Sequence, residues 1–331
     1  MEKLIFGLDI GGTKCAVSLG RITTDRNGYE AVEFLAKQKF LTNRRNPEAI
    51  LEEFSECIQA IMLSNHVAAA DVFGIGISCG GPLDSRNGVI LSPPNLAGWD
   101  SVEIVSYFEK KTGIHTKLQN DANACAIAEW RFGAGKGTEN MVFLTFGTGL
   151  GAGLILNGKL YSGSSDMAGE VGHLRLAQDG PVGYDKKGSA EGFCSGGGLA
   201  QIGICEVEKE LKQGNVPRLL QKAGTVENIT AKLIGDLAEK ERDELCINIY
   251  RQCGFYLGHT LSILVDLLNP EKIILGGIFM RSSELIKPAM EQVLKQECLA
   301  RSLNVCQIVP AGLGEMVGDY AAIAVAATEN V

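Results

Sequence analysis

No apolar run in this chain reaches 18 residues, so no segment reads as a membrane-spanning helix. Basic charge does not predominate either: 31 Lys and Arg stand against 39 Asp and Glu, a net charge of −8 with His neutral. That excludes a protein that wraps nucleic acid by bulk charge, although not a small anion site built from backbone N–H groups. The 10 cysteines include no CxxC pair, and most lie in apolar or helical stretches, as free buried thiols do. The chain goes straight into an apolar strand, Leu4–Leu8, where a secretory leader would need a longer core. A reducing, cytoplasmic setting is therefore expected. No GxxxxGKS or GxxxxGKT occurs, so a Walker A loop is absent.

What is present points to a folded α/β protein. A length of 331 residues suggests two domains, and an apolar content of 45 % excludes disordered, collagen-like and low-complexity chains. Glycine is in excess, 41 residues, so many backbone positions need a positive φ or a close approach. Strand, glycine turn and strand occur twice. The first set is 4–10, Gly11-Gly12-Thr13-Lys14 and 15–19, and the second is 141–146, Gly147-Thr148-Gly149-Leu150-Gly151 and 152–156. Helices are expected at about 47–64, 101–112, 122–132 and 229–266, and from about 319. Further strands are expected at 72–78, 116–119, 272–275 and 305–310, with a glycine loop at 196–198.

The second glycine turn is not a dinucleotide fingerprint. That motif needs a helix next, whose N-terminus holds the pyrophosphate, and here a strand and an Asn157-Gly158 hairpin turn follow. One such hairpin is a bulged turn and no more. Two, each offering N–H groups and a Thr hydroxyl, could grip a polyphosphate from both sides, with Lys14 as an added point charge.

Asp9-Ile10-Gly11-Gly12-Thr13-Lys14 resembles the first phosphate motif of the ROK family of sugar kinases and repressors, within the actin-like, hexokinase-like ATPases. Gly80-Gly81-Pro82, Pro94-Asn95-Leu96-x-Gly98-Trp99, Asn120-Asp121-Ala122-Asn123-Ala124, Thr145-x-Gly147-Thr148-Gly149-x-Gly151, Ala168-Gly169-Glu170-Val171-Gly172-His173 and 269–277 follow in that family's order. The resemblance implies an α/β, two-lobed actin-like ATPase (RNase H-like) fold with a central interdomain cleft. Residues 1–120 plus 312–331 would form the N-terminal lobe and 121–311 the larger C-terminal lobe. It implies ATP and magnesium, a hexose substrate, and a homodimer without nucleic-acid or membrane partners.

Each candidate residue has a plain reading beside the chemical one. Asp121 opens a helix, and from spacing alone a helix cap is the simpler reading. The resemblance makes it the general base that accepts the sugar hydroxyl's proton as the hydroxyl attacks the γ-phosphate. Asp9 is either a turn initiator or a magnesium ligand, directly or through water, and Lys14 is either a solvated surface charge or a phosphate contact. With Gly11, Gly12, Thr13, Thr148, Gly149, Gly276 and Gly277 these two form the implied ATP site. Gly81, Asn95, Asn120, Asp121, Glu170, His173 and Glu191 form the implied sugar site, where acceptor carboxylates and two-way amides suit hydroxyls. Glu170 and His173, three apart, share a face if their segment is helical.

One departure stands out. Proteins of this family usually carry CxCGxxGC between that histidine and Glu191, for structural zinc. The matching cysteine positions here hold Val182, Tyr184 and Ser189, so no structural zinc is expected. The loop is then expected to be more mobile, and the sugar more weakly held, than in a zinc-bearing relative. The implied activity is ATP-dependent phosphorylation of a hexose to its 6-phosphate, glucose first because of the Glu-x-Gly-His pattern. An N-acylhexosamine (GlcNAc or ManNAc) kinase and a fructokinase stay open. A sugar-responsive repressor is disfavoured, since the first strand begins at residue 4 without a preceding DNA-reading helix. A catalytically dead sugar-binding module is disfavoured because Asp9, Lys14 and Asp121 are all present.

Overall fold

The first sheet grows from β1 (Glu2–Ile10), whose Ile5, Phe6, Leu8 and Ile10 are buried. β2 (Lys14–Thr24) turns back antiparallel, and β3 (Glu30–Leu41) adds an antiparallel edge. On the other side β4 (Val72–Cys79) and β7 (Thr116–Asn120) join in parallel, giving the order β3-β2-β1-β4-β7. Between them, β5 (Leu83–Asp84) and β6 (Val89–Ile90) form a small hairpin. This computed structural model describes residues 2–26, 28–42 and 46–328. The chain divides into two compact units, residues 1–143, 153–168 and 311–331, and residues 144–152 and 169–310. Residues 1 and 329–331, placed in the expected N-terminal lobe, lie outside the described residues.

Helices cover the first sheet. α1 (Pro47–Asn65) is capped by Asn46, whose side chain accepts the Ala49 N–H at 3.0 Å, and it buries Ile50, Leu51, Phe54, Ile58 and Ile61. α2 (Ile104–Thr112) adds Ile104 and Phe108 to that core. α3 (Asp121–Phe132) follows β7 without a gap, and α11 (Val317–Ala327) packs on α3, β1 and β4. Gly76 allows this approach: a Cβ there would fall 2.0 Å from the Ala322 carbonyl oxygen.

A second five-stranded sheet has the order β10-β9-β8-β13-β14, from β8 (Met141–Phe146), β9 (Leu150–Leu156), β10 (Lys159–Leu160), β13 (Lys272–Leu275) and β14 (Gln307–Pro310). The second unit holds the hairpin β11 (Val182–Gly183) and β12 (Lys186–Lys187). Its helices are α4 (Ala190–Phe193), α5 (Gly196–Lys212), α6 (Arg218–Ala223), α7 (Ala231–Lys240), α8 (Glu244–Leu268), α9 (Ile278–Glu297) and α10 (Ala300–Val305). No helix among the described residues is long and apolar enough to cross a membrane.

Two local expectations need correcting, and one strand is unexpected. The glycines at 196–198 are not a loop but the first turn of α5: Ser195 Oγ accepts the Gly198 N–H at 3.0 Å and nucleates the helix. The last strand starts at Gln307 rather than 305, because α10 runs through Val305. β3 escapes the sequence reading because it is a half-exposed edge strand rich in charge, with little apolar alternation. Adding one methyl at Gly76 should force α11 off β4. Gly76→Ala is expected to lose about 1–3 kcal/mol or more, read as a lower urea midpoint.

Candidate active site

The parallel register sets the geometry. Ile10 lies level with Cys79, and Cys79 with Asn120, so the loops after β1, β4 and β7 leave the sheet at one carboxyl edge, where open α/β sheets bind ligands. Asp9, the Gly11–Thr13 turn, Gly81 and the Asn120–Asp121 pair therefore sit at neighbouring strand ends. Lys14 is exposed at the start of β2. A Cβ on Gly12 would fall 2.9 Å from that of Asn95, which lies exposed in the loop before α2, and one on Gly81 would fall 3.1 Å from Asn120 Nδ2. Thr42 fastens the Gly11–Thr13 turn: its hydroxyl donates to the Gly11 carbonyl at 2.6 Å and its N–H to that of Thr13 at 3.0 Å.

The division of labour between Asn120 and Asp121 is informative. The cap of α3 is Asn120, whose Oδ1 accepts the Ala122 N–H at 3.0 Å. Asp121 is the first helical residue and its Oδ1 also accepts that N–H, at 2.8 Å. The residue as a whole is exposed, yet its carboxyl is raised above the usual carboxylate range, because protein atoms crowding round it hinder its hydration. Asp9 is raised further, to about 6, by burial first and then by the charges of Asp121 and Asp319, against the opposing pull of Lys37 and Lys14. Lys37 of β3 pairs directly with Asp319 in the first turn of α11. Neither was singled out in the sequence, although Asp319 marks the expected helix start.

Glu129 is a further residue without a sequence signal. It is fully buried on α3 and accepts the N–H groups of Ala134 at 2.8 Å, Gly312 at 3.0 Å and Leu313 at 2.9 Å. The helix that Asp121 opens and the loop leading to α11 are thus tied by one carboxylate.

In the second unit the glycine turn after β8 closes on itself, Gly147 N–H to Gly149 carbonyl at 3.1 Å, and receives the Gly196 N–H on the Gly147 carbonyl at 2.8 Å. Thr148 belongs to this turn. Glu191 of α4 reaches it too, accepting the Leu150 N–H at 3.0 Å. Gly276 donates to the Leu144 carbonyl at 3.0 Å, and Gly277, at φ 58°, lies so close that a Cβ would meet the Phe146 carbonyl at 2.0 Å. Glu170 precedes a single 3-10 turn, Val171–His173, that carries His173 at its end. The two residues bracket one turn, a tighter version of the expected helical spacing.

A sequence model of the ROK family matches residues 5–329. The chain belongs to the ROK family. It is 29 % identical to a glucokinase of Halalkalibacterium halodurans over 96 % of this chain and 93 % of that one. It is 30 % identical to a xylose repressor of Caldicellulosiruptor bescii over 88 % of this chain and 70 % of the repressor. A ROK glucokinase from Streptomyces griseus, solved in complex with glucose and AMPPNP, superimposes with a TM-score of 0.73 at 29 % identity, covering 97 % and 98 % of the two chains. The fold is the actin-like α/β ATPase fold of this family.

Two outcomes follow from these charges. Asp9 holds its proton more tightly in the folded protein than in the unfolded chain, so it adds stability below about pH 4 that is lost as pH rises through about 6. Asp9→Asn is expected to melt above the parent near neutral pH but not at pH 4, in thermal unfolding without nucleotide or magnesium. Glu129→Gln keeps the shape but cannot accept all three N–H groups as well as a charged carboxylate does. It should cost about 1.5–3 kcal/mol in urea unfolding.

Proposed function

We propose that this ROK protein is an ATP-dependent hexose kinase that makes the hexose 6-phosphate, with glucose as the first substrate to test and Asp121 as the general base. The observation that carries the reading is Asp121 itself. Asn120 caps the helix, so Asp121 is not needed as the cap, and its carboxyl is raised above the usual carboxylate range, the direction that suits a base. The glucokinase relatives, matched over more than nine-tenths of both chains, support the same activity. The AMPPNP complex of the Streptomyces griseus enzyme supports a nucleoside triphosphate donor.

In this reading Gly11, Gly12, Thr13, Lys14, Thr148 and Gly149 hold the phosphates through N–H groups, hydroxyls and one ammonium, and Gly276 and Gly277 border the nucleotide. Asn95, Asn120, Glu170, His173 and Glu191 meet sugar hydroxyls, and Gly81 leaves room for them. Among the described residues no group of three His, Cys, Asp or Glu side chains is arranged to hold a metal unaided. Magnesium commonly uses one or two carboxylates and substrate phosphates. Asp9, a hard oxygen donor crowded by two other carboxylates, fits that pattern. Bound there, magnesium would neutralise phosphate charge during transfer.

A sugar-responsive regulator is the second reading, favoured by the xylose repressor's 30 % identity. A coupled assay of glucose, fructose, mannose and N-acetylated hexosamines with ATP and magnesium separates the two. Turnover of a hexose is expected; no turnover of any sugar, together with sugar-dependent DNA binding, would favour the regulator. Asp121→Ala should lose roughly 10²–10⁴-fold in kcat with hexose KM nearly unchanged. Near-parent turnover in that variant would overturn the base assignment.

A further inference from the structure

The family's zinc site does not fit this chain. Val182, Tyr184 and Ser189 occupy the thiolate positions, and among the described residues no trio of ligand side chains is arranged for a metal. Each of the three has another duty. Ser189 Oγ accepts the Gly192 N–H at 3.1 Å and caps α4, the short helix of Glu191. Val182 is clasped from α5: the Gln201 side chain accepts its N–H at 2.9 Å and donates to its carbonyl at 2.8 Å. An amide is suited to this, since it offers one acceptor and one donor side by side, and the clasp docks the β11–β12 hairpin on α5. Tyr184 and Asp185 make the two-residue turn of that hairpin at φ 43° and 60°, a left-handed pair that is the usual solution for a tight hairpin. The turn aims the Tyr184 ring at His173, centroids 5.0 Å apart and planes at 73°, an edge-to-face contact. Lys186, next on the hairpin, donates to the His173 carbonyl at 2.6 Å.

We propose that Gln201 and Tyr184 are positioning residues that replace the zinc: Gln201 anchors the hairpin to α5 and Tyr184 orients the His173 imidazole for the sugar. The hexose arm of the test rests on the kinase reading above; the fastening itself does not.

Zinc content, hexose kinetics and amide exchange of residues 173–192 are to be measured on the full-length parent, Tyr184→Ala, Tyr184→Phe and Gln201→Ala. The parent is expected to carry no zinc and to keep its activity with a zinc chelator under excess magnesium. Tyr184→Ala and Gln201→Ala should each raise hexose KM by about tenfold, the scale of one lost contact that orients a binding group, with kcat within about threefold. Both should exchange faster in that segment, while Tyr184→Phe, which keeps the ring edge, should match the parent. Near one zinc per chain overturns the proposal. So does a KM unchanged in both alanine variants, or a KM rise without faster exchange, which would mark a direct sugar contact instead. Tyr184 lies in an exposed turn, so its variants read the proposal even if Gln201→Ala fails to fold. If the parent phosphorylates no hexose, the kinase reading fails, and zinc content with exchange still decides the fastening.

Discussion

Three parallel strands that end level with one another are the constraint on which the first unit's chemistry depends. Because β1, β4 and β7 run the same way in register through Ile10, Cys79 and Asn120, whatever each strand delivers next arrives at a single edge. The apolar strand interiors do no chemistry; they set where the polar ends stop. A slip of one residue in β7 would turn Asn120 and its neighbours to the opposite face of the sheet. The buried apolar ladder behind the edge makes such a slip costly, which is how a hydrophobic core specifies the placement of a carboxylate.

The same edge concentrates like charge. The charges of Asp121 and Asp319 both bear on Asp9, and Lys37 and Lys14 only partly offset them. A cation or a phosphate-bound metal would find there a site whose charges already repel one another, and its binding would relieve that repulsion.

Legibility in the sequence divides along physical lines. The glycine turns, the strands beside them and the Asn120–Asp121 boundary can be read because apolar runs broken by glycine are local signals. Lys37 and Asp319 cannot, since they lie 282 residues apart and only the tertiary fold pairs them. Glu129 is hidden for a similar reason: two of its three partners are backbone N–H groups 183 and 184 residues away, and a backbone partner leaves no mark on residue identity. Gln201 clasps backbone too. Asn120 shows the reverse: an amide read in the sequence only as a sugar ligand is seen in the fold as the helix cap.

The place of α11 has a consequence for how the chain is made. β1 and β4 leave the ribosome well before the helix that covers them, which is buried through Ala321–Ala327. Most of the second unit, residues 169–310, is complete before then. During translation the first sheet must wait with an apolar face uncovered while the intervening residues fold, a delay that exposes nascent chains to aggregation. The many small side chains of α11 suit such later arrival: an alanine-rich helix can dock on a finished sheet with few rotamers to fix.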